Sequence, residues 1–487
     1  MNERFIRKKI LWIGPAVNIS LEPFIERNLD FERVNLNGIK NALSSARGIV
    51  FNHGNKPKQY LEGIQNFSPI ALDYGLFVIA HVPNNFYFQL TRDILDEKFP
   101  SLINHQHFSL LWDEKPSKIA EIFARHEPMS SPHVELNIND SSSKIKLTKN
   151  EKLLLKRAFS DFCLITVRNL SGGRTEAKIF EVNGQIVGLA PKPLIPLPFF
   201  LKIESVENQK KEIMNYEKYV NNFIPFNLRP HLDLKRCISG FEKGLIVGDY
   251  IDADLLLDLA QKGRAKKEIN HLFDITLNCW RRQTTQTKGK PGNFSSKKIL
   301  QRFKKIIKLG AMITPKELKS LIQIKVKDFN YTNTLIHRDL HGKNIMVRSE
   351  EAVLIDFASV DWGPINEDCA ALEVSISVER INLPGGKNLS KTDWKKFVLK
   401  IYSPEFLMVQ MPTTLGLGDT EEKLWQSIKK VREIAFTQTS TKEEYSFTLA
   451  MRLLSISGTV ASSDRDDFRK SFIYLLAEKI IIHLATL

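Results

Sequence analysis

The most informative segment of this chain is Leu335-Ile336-His337-Arg338-Asp339-Leu340-His341-Gly342-Lys343-Asn344-Ile345-Met346-Val347, and Val353-Leu354-Ile355-Asp356-Phe357 follows it closely. Its polar residues fit the pattern H-x-D-x-x-x-x-N, and the second stretch ends in I-D-F. The apolar runs at 345–347 and 353–355 predict two short strands of one hairpin. Such a hairpin would bring Asn344 and Asp356 together although twelve positions separate them.

The polar residues of this segment are of the types that phosphoryl transfer requires. Asp339 can accept the proton of an attacking hydroxyl. Asn344 and Asp356 offer oxygens that can hold the Mg²⁺ ions bridging the phosphates of ATP. We therefore take Asp339, His337 and Asn344 as candidate catalytic residues, and Asn344 and Asp356 as candidate metal ligands.

The segment resembles the catalytic loop and metal-binding motif of the aminoglycoside phosphotransferase and choline kinase-like superfamily, the small-molecule branch of the protein-kinase fold. In that branch the loop usually has the form H-x-D-[LIF]-H-x-x-N, and His341 stands at its second histidine. The resemblance implies that Asp339 is the catalytic base and that Asn344 and Asp356 are the first and second magnesium ligands. It also implies ATP and Mg²⁺ as cofactors and an α+β bilobal protein-kinase-like domain with a helical C-lobe.

A glycine-containing turn upstream is the candidate phosphate-binding loop. Residues 164–182 predict two strands around Ser171-Gly172-Gly173, where glycines would let backbone N–H groups approach phosphates closely. This turn matches the short S-G-G turn of the superfamily. Glu176 in the same turn is unfavourable beside a triphosphate.

Three further positions complete the expected ATP site. Lys202, inside the apolar strand at 199–203, is expected to reach the α- and β-phosphates. A helix predicted over 208–220 offers Glu212 as the partner of Lys202, with Glu207 and Glu217 as alternatives. The strand at 244–251 is expected to end in a hinge, where the backbone of Asp249, Tyr250 and Ile251 would bind adenine.

Two spacings favour a non-protein acceptor. Only twelve positions separate Asp356 from Asp368, which we expect to cap a helix and brace the catalytic loop. A protein kinase needs a longer activation segment there to hold a peptide. The long span between Tyr250 and His337 also suits the small-molecule branch, which inserts helices around its acceptor pocket.

Residues 1–126 predict a separate α/β domain. Five short apolar runs, at 10–13, 32–36, 48–51, 76–80 and 108–112, alternate with helical stretches, which favours a parallel sheet covered by helices. The segment resembles a flavodoxin-like or receiver domain in size. It lacks the functional residues of a receiver, because Gly14-Pro15 and Asn52-His53 follow the first and third strands where acidic residues would stand. We expect a degenerate receiver-like module that senses or binds a protein partner.

The domain boundaries follow from composition. A polar segment with Pro and Ser at 127–147 predicts a linker, and Thr148 to Glu151 form a capping-box pattern that begins a helix. The expected order is a receiver-like α/β domain (1–126), the linker (127–147), a kinase-like N-lobe (148–251) and a helical C-lobe (252–487).

The net charge of +15 is concentrated in one segment. Residues 262–327 carry eighteen Lys and Arg against three acidic residues, and 297–308 have apolar residues at helical spacing. This basic segment could bind nucleic acid, an anionic membrane or an acidic partner, or it could be a solvated helix face.

Other features indicate a cytoplasmic protein without a transmembrane segment. No run of about eighteen apolar residues is present, and the N-terminal segment is too charged for a secretory signal. The four cysteines show neither C-x-x-C pairing nor metal-site spacing, so we expect them to be reduced.

The sequence supports three functional hypotheses. The first is an ATP- and Mg²⁺-dependent kinase that phosphorylates a hydroxyl of a small-molecule acceptor. The second is a nucleotide-binding regulatory or sensor protein with weak or no catalysis. The third is a nucleic-acid-binding protein that uses the basic segment.

Overall fold

The chain forms two compact units in the computed structural model. The first unit consists of Met1–Lys211 and His231–Tyr250, and the second of Glu212–Pro230 and Ile251–Leu487. The structure describes residues 7–15, 20–53, 57–127, 129–140, 146–170, 177–186, 194–289, 328–378, 389–438, 441–457 and 467–487. Within these ranges, no helix has both the length and the apolar character needed to cross a bilayer. The turn Ser171-Gly172-Gly173 and the predicted basic helix at 297–308 lie outside them.

The first unit begins with a parallel sheet and its helices. Their bounds are β1 (Lys9–Ile13), α1 (Glu22–Ile25), β2 (Asp30–Arg33), α2 (Ile39–Ala42), β3 (Ala46–Asn52), α3 (Pro57–Asp73), β4 (Phe77–Val82), α4 (Asn85–Lys98), α5 (Pro100–Ile103), β5 (Phe108–Trp112) and α6 (Pro116–Arg125). The five strands lie in the order β2-β1-β3-β4-β5, and every neighbouring pair is parallel. This order is one of the common doubly wound α/β arrangements.

Two apolar clusters explain why this sheet is covered on both faces. Along β3, Ile49 belongs to the cluster that includes residues of α2 to α5, whereas Val50 belongs to the cluster that includes residues of α1 and α6. Successive strand side chains point to opposite faces, so a strand apolar at consecutive positions must be buried on both. The other four predicted strands are confirmed, whereas β2 (Asp30–Arg33) shares only residues 32 and 33 with the strand predicted at 32–36.

The first unit also contains a second sheet. Its elements are β6 (Asn137–Asp140), α7 (Lys149–Ala158), β7 (Phe162–Asn169), β8 (Lys178–Ile186), β9 (Phe199–Ser205), α8 (Val206–Asn215) and β10 (Lys243–Asp249), and the chain boundary between the units falls within α8. The strand order is β10-β9-β8-β7-β6, antiparallel except for the parallel pair of β6 and β7. The predicted capping box is confirmed, since Thr148 and Glu151 bond each other's backbone N–H groups. The segment 127–147, which we expected to be a linker, contains β6, a strand at the edge of this sheet.

A buried arginine joins the two sheets of the first unit. Arg157 on α7 is 1% exposed and donates to the carbonyl oxygens of Asp73 at 2.9 Å and Ser239 at 3.1 Å. Burial, together with the charge of Arg7, lowers the pKa of Arg157 to about 9. The carboxylate of Asp73 accepts from the N–H of Phe241 at 2.8 Å. These bonds connect the end of α3 to the turn before β10, so this part of the molecule is a packed junction.

Replacing Gly75 with alanine tests the packing of that junction. Gly75 has φ +75°, and a Cβ there would lie 2.6 Å from Nη2 of Arg157. Gly416 is a matched control, because it has φ +67° and a Cβ at that position would meet nothing within 4 Å. Both substitutions strain the backbone, so overpacking should make Gly75→Ala about 1–3 kcal/mol more destabilising than Gly416→Ala in urea unfolding. Equal losses would contradict a tightly packed junction.

The second unit has two small sheets and a group of helices. After a π-helical turn at Tyr216–Val220 and a 3₁₀ turn at Phe226–Leu228, its elements are β11 (Asp254–Leu255), α9 (Leu256–Gln261), α10 (Lys266–His271), α11 (Asn278–Arg281), β12 (Thr285–Gly289), β13 (Phe329–Ile336), β14 (Ile345–Arg348), β15 (Glu351–Leu354), β16 (Asp361–Pro364), α12 (Glu367–Val378), α13 (Lys391–Ile401), α14 (Pro404–Met408), α15 (Asp419–Gln438), α16 (Lys442–Ser457) and α17 (Asp467–Thr486). The described strands form the sheets β11-β14-β15 and β12-β13-β16.

Helix α12 is the central helix of the second unit. Every residue of α12 after Glu367 is buried, and the helix contacts α9, α15 and α16. A helix that is apolar on all sides must be surrounded by other elements. The polar residues that α12 does carry, including Asp368, Glu373 and Ser375, are therefore buried with their partners.

Candidate active site

The predicted hairpin brings Asn344 and the residue before Asp356 into direct register. Strands β14 and β15 are antiparallel, with Ile345 opposite Leu354. The N–H of Ile355 donates to the carbonyl oxygen of Asn344 at 3.0 Å, which continues the ladder by one step. Asn344 and Asp356 therefore flank the same end of the hairpin, as the sequence predicted.

The carboxylate of Asp339 lies between two cationic or polar side chains. Nη2 of Arg452 donates to its Oδ1 at 3.1 Å, and Nε2 of His341 lies 3.8 Å from its Oδ2. Burial alone would raise the pKa of Asp339, but the charges of His341, Arg452 and His337 outweigh it, so the pKa is lowered. The side chain is still 47% exposed, which leaves it accessible to an acceptor.

Asp368 braces the loop that carries Asp339. Its two carboxylate oxygens accept from the backbone N–H groups of His337 at 2.8 Å and of Arg338 at 3.0 Å. Arg338 has φ +64°, which is unfavourable for a residue with a side chain. Burial raises the pKa of Asp368, although the charge of His337 and these two bonds oppose the rise. The predicted bracing role agrees with these bonds.

Both histidines of the motif have defined ring orientations. Nε2 of His337 donates to the carbonyl oxygen of Ile355 at 3.0 Å, so this ring ties the loop to the hairpin. The N–H of Lys343 donates to Nδ1 of His341 at 3.3 Å. In a neutral imidazole the proton must then be on Nε2 of His341, the nitrogen that faces Asp339.

Asn344 and Asp356 carry the oxygen atoms that are candidates for holding a cation. The side-chain amide nitrogen of Asn344 donates to the carbonyl oxygen of Asp339 at 3.0 Å, which leaves its amide oxygen available as a ligand. Asp356 is partly exposed and has φ +63°. Oxygen donors of this kind are the usual ligands of Mg²⁺.

The segment after Asp356 is held by a residue that the motifs did not reveal. The amide nitrogen of Asn215, at the end of α8, donates to the carbonyl oxygens of Phe357 at 3.0 Å and Ala358 at 3.2 Å. Asn215 is three positions after Glu212, so the two share one face of α8. That spacing was the available sequence signal for Asn215. Arg452, which is 113 positions from Asp339, had no such signal.

Lys202 and Glu212 are both buried, each in its own unit. In the first unit, Nζ of Lys202 lies 3.6 Å from the carboxylate of Glu204, two positions further along β9 on the same face. Sequence reasoning did not consider Glu204. In the second unit, Glu212 is 5% exposed, whereas Glu207 and Glu217 are exposed residues of the helical segment. Burial therefore favours Glu212 over its two alternatives, and its pairing with Lys202 stays a prediction.

Two of the three predicted hinge residues already use their backbone N–H groups in hydrogen bonds within the protein. The N–H of Asp249 donates to the carbonyl oxygen of His231 at 2.9 Å, and the N–H of Tyr250 to that of Pro198 at 3.2 Å. Adenine binding by these N–H groups would require those bonds to break, so the backbone carbonyls are the better candidates. Ile251 begins the next segment of the second unit.

The comparisons with known proteins agree with the motif. The model of the phosphotransferase enzyme family matches residues 288–376. That segment contains the whole catalytic motif. No curated protein matches the chain in sequence.

Several solved structures resemble the chain with low sequence identity and low TM-scores. A thermostable mutant of aminoglycoside phosphotransferase APH(4)-Ia, in a ternary complex with ADP and hygromycin B, is 11% identical, with 67% of this chain and 96% of that chain covered and a TM-score of 0.37. A putative aminoglycoside phosphotransferase from Ralstonia eutropha is 13% identical, with coverages of 66% and 92% and a TM-score of 0.37. Choline kinase from Cryptosporidium parvum is 13% identical, with coverages of 66% and 88% and a TM-score of 0.34.

Proposed function

We propose that this protein is an ATP- and Mg²⁺-dependent phosphotransferase that transfers the γ-phosphate to a hydroxyl of a small, non-protein acceptor. The observation that carries the proposal is the convergence of Asp339, Asn344 and Asp356 within the second unit, in the segment that matches the phosphotransferase enzyme family. Phosphoryl transfer depends mainly on positioning and charge neutralisation, so this small set of residues is sufficient.

Each residue of the set has a role in this reaction. Asp339 accepts the proton of the acceptor hydroxyl as the new O–P bond forms and the bond between the γ-phosphorus and the β,γ-bridging oxygen breaks, releasing ADP. Asn344 and Asp356 would hold Mg²⁺, which would supply positive charge against the phosphates. His337 and Asp368 keep the loop in its bent conformation.

The first unit supplies further candidate contacts to ATP. Lys202 is proposed to bind the α- and β-phosphates, with Glu212 as its partner. The backbone of Ser171, Gly172 and Gly173 is proposed to bind phosphates, although this turn lies outside the described residues. The backbone of Asp249, Tyr250 and Ile251 is proposed to bind adenine. Together with the catalytic motif, these contacts would make a bilobal kinase-like domain.

The N-terminal α/β module is proposed to be receiver-like and to act in binding or sensing, with a protein as its partner. Its strand order agrees with a flavodoxin-like fold. Asn52 is the last residue of β3 and His53 follows it, and the Nδ1 atom of His81 lies 2.8 Å from the side-chain oxygen of Asn52. Neither Asn52 nor His53 offers the carboxylate that accepts the phosphoryl group in a receiver. We also propose that the protein is cytoplasmic. Its basic segment is proposed to bind a nucleic acid or an acidic partner.

Metal-dependent nucleotide binding tests the proposed function directly. We expect wild-type protein to bind ADP about 10-fold or more tightly with Mg²⁺ than with EDTA, and Asp356→Asn to lose most of that gain. Asp258→Asn, an exposed aspartate of α9, is the matched control and should bind as wild type. Isothermal titration calorimetry measures all of these affinities. An Asp356→Asn protein that keeps the full effect of Mg²⁺ would contradict the metal site.

Turnover on an acceptor panel separates the first two hypotheses. The panel should contain aminocyclitols such as hygromycin B, choline and simple sugar alcohols, and ADP release should be followed with and without each compound. Acceptor-dependent ADP formation supports the kinase. Tight Mg-ATP binding without turnover on any acceptor would favour the regulatory alternative.

A further inference from the structure

Among the described residues, Arg452 is the only charged residue of a distant helix that forms a direct bond with Asp339, the candidate base. We propose that Arg452 is a positioning residue for Asp339, fixing one carboxylate oxygen so that the other faces the acceptor hydroxyl. This inference rests on the proposed function, because it takes Asp339 as the base.

The geometry of Arg452 is that of a clamp on the catalytic loop. Nη2 donates to Oδ1 of Asp339, and Nη1 donates to the backbone carbonyl oxygen of Arg338, both at 3.1 Å. The planar guanidinium thus fixes the carboxylate relative to the backbone of the preceding residue. Because both bonds come from one rigid group, the orientation of the Asp339 side chain is coupled to the position of α16.

Arg452 is itself held in place. The Arg452 side chain is only 14% exposed. Leu449 and Leu453, which precede and follow Arg452 in the sequence, are buried and anchor α16. An arginine on the surface would have to lose several rotameric degrees of freedom to make this contact. Here burial in the second unit has already restricted them, so the clamp is preorganised.

The second carboxylate oxygen has a weaker neighbour. Nε2 of His341 lies 3.8 Å from Oδ2, which is longer than a hydrogen bond. An acceptor hydroxyl could therefore approach Oδ2 while Oδ1 stays bound to Arg452. Arg452 binds Oδ1 and leaves Oδ2 to the acceptor hydroxyl. Arg452 is therefore a positioning residue, and Asp339 can still take the proton.

Kinetics of Arg452 variants test the role. We expect Arg452→Gln to lower kcat by about 10- to 100-fold with little change in KM for ATP. Arg452→Lys keeps the charge but not the planar fork, so it should restore only part of kcat. Lys396→Gln removes an exposed charge of α13 in the same unit and should behave as wild type. An unchanged kcat in Arg452→Gln, or a loss that appears in KM for ATP and not in kcat, would overturn the proposal.

A double variant distinguishes positioning from direct contact with phosphate. If Arg452 acts through Asp339, adding Arg452→Gln to Asp339→Asn should lower the residual turnover no further. Multiplicative losses would mean that Arg452 acts on ATP or the acceptor itself, which contradicts the proposal.

Thermal unfolding of wild type, Arg452→Gln, Asp339→Ala and the double variant needs no turnover, so it separates failure of this inference from failure of the proposed function. Alanine removes the acceptor of the Arg452 bond, so the shifts in Tm should not be additive between Arg452→Gln and Asp339→Ala. A wild-type protein without turnover would contradict the kinase but would leave this coupling measurable. Additive shifts in Tm would show that the clamp does not exist and would overturn the inference.

Discussion

Replacing Asp339 with asparagine is expected to lower kcat by about 10²- to 10⁴-fold while Mg-nucleotide affinity stays at the wild-type value. Asparagine has nearly the same shape and can still accept the bond from Nη2 of Arg452. It cannot accept the proton of the acceptor hydroxyl. The loss should therefore appear in the transfer step and not in binding, as measured by acceptor-dependent ADP release and by calorimetry.

Asp328→Asn is the matched control for this experiment. Asp328 is exposed and immediately precedes β13, the strand that leads into the catalytic loop. The same change of one carboxylate to an amide at that position should leave kcat unaltered. Wild-type turnover in Asp339→Asn would rule out its role as the base, and a parallel loss of nucleotide affinity would indicate damage to the site as a whole.

The depressed pKa of Asp339 also predicts the pH dependence of the proposed transfer reaction in the wild-type protein. The pKa is lowered from the usual value of 3.8 because the charges of His341, Arg452 and His337 outweigh burial. The ionised base is the active form, so activity due to this group is complete above that pKa and is lost only as the pH falls through it. A pH profile of kcat/KM should show no loss from Asp339 between pH 7 and the usual aspartate range.

Local patterns in the sequence were sufficient to predict those elements of the structure that depend on neighbouring residues. The strands of the first sheet, the hairpin of β14 and β15 and the capping box at Thr148 are each specified by a few consecutive positions. The candidate site was predictable to the extent that Asp339, Asn344 and Asp356 belong to one contiguous motif. Spacing alone placed two of them at one end of a hairpin.

Contacts between distant segments could not be predicted in this way. Arg452 and Arg157 have ordinary helical surroundings in the sequence, and nothing local shows that their guanidiniums are buried on remote backbone carbonyls. Strand β6 was missed because Asn137 to Asp140 contain a single apolar residue, and only pairing with β7 makes them a strand. In each case tertiary contact supplied what the local pattern did not.

A buried ion pair in the second unit is the site of the largest expected loss of stability. Nη2 of Arg432 on α15 lies 2.7 Å from the carboxylate of Glu373 on α12, and the two side chains are 1% and 0% exposed. The hydroxyl of Tyr445 donates to the same carboxylate at 2.8 Å, and Arg432 also donates to the carbonyl oxygen of Ile401 at 2.8 Å. Four helical segments of the second unit therefore meet at one charged pair.

Removing one partner leaves the other charge buried without compensation. We expect Arg432→Met to destabilise the protein by about 3–5 kcal/mol in urea unfolding, because the buried carboxylate of Glu373 would lose the guanidinium that neutralises it and keep neutral donors such as the hydroxyls of Tyr445 and Tyr402. Lys423→Met on the same helix is the control. Lys423 pairs with Asp419 at the surface, where both side chains are largely exposed, so its loss should cost about 0–1 kcal/mol.

The double variant Glu373→Leu with Arg432→Met separates the value of the ion pair from the cost of breaking it. Replacing both charges with apolar side chains removes the uncompensated carboxylate, so most of the stability lost in Arg432→Met should return. A double variant as unstable as the single one would mean that helix packing, and not the unpaired charge, accounts for the loss. Since Asp368 and Glu373 lie on the same buried helix, loosening α12 at Glu373 should also weaken its hold on the catalytic loop, and kcat of Arg432→Met at temperatures well below its Tm measures that effect.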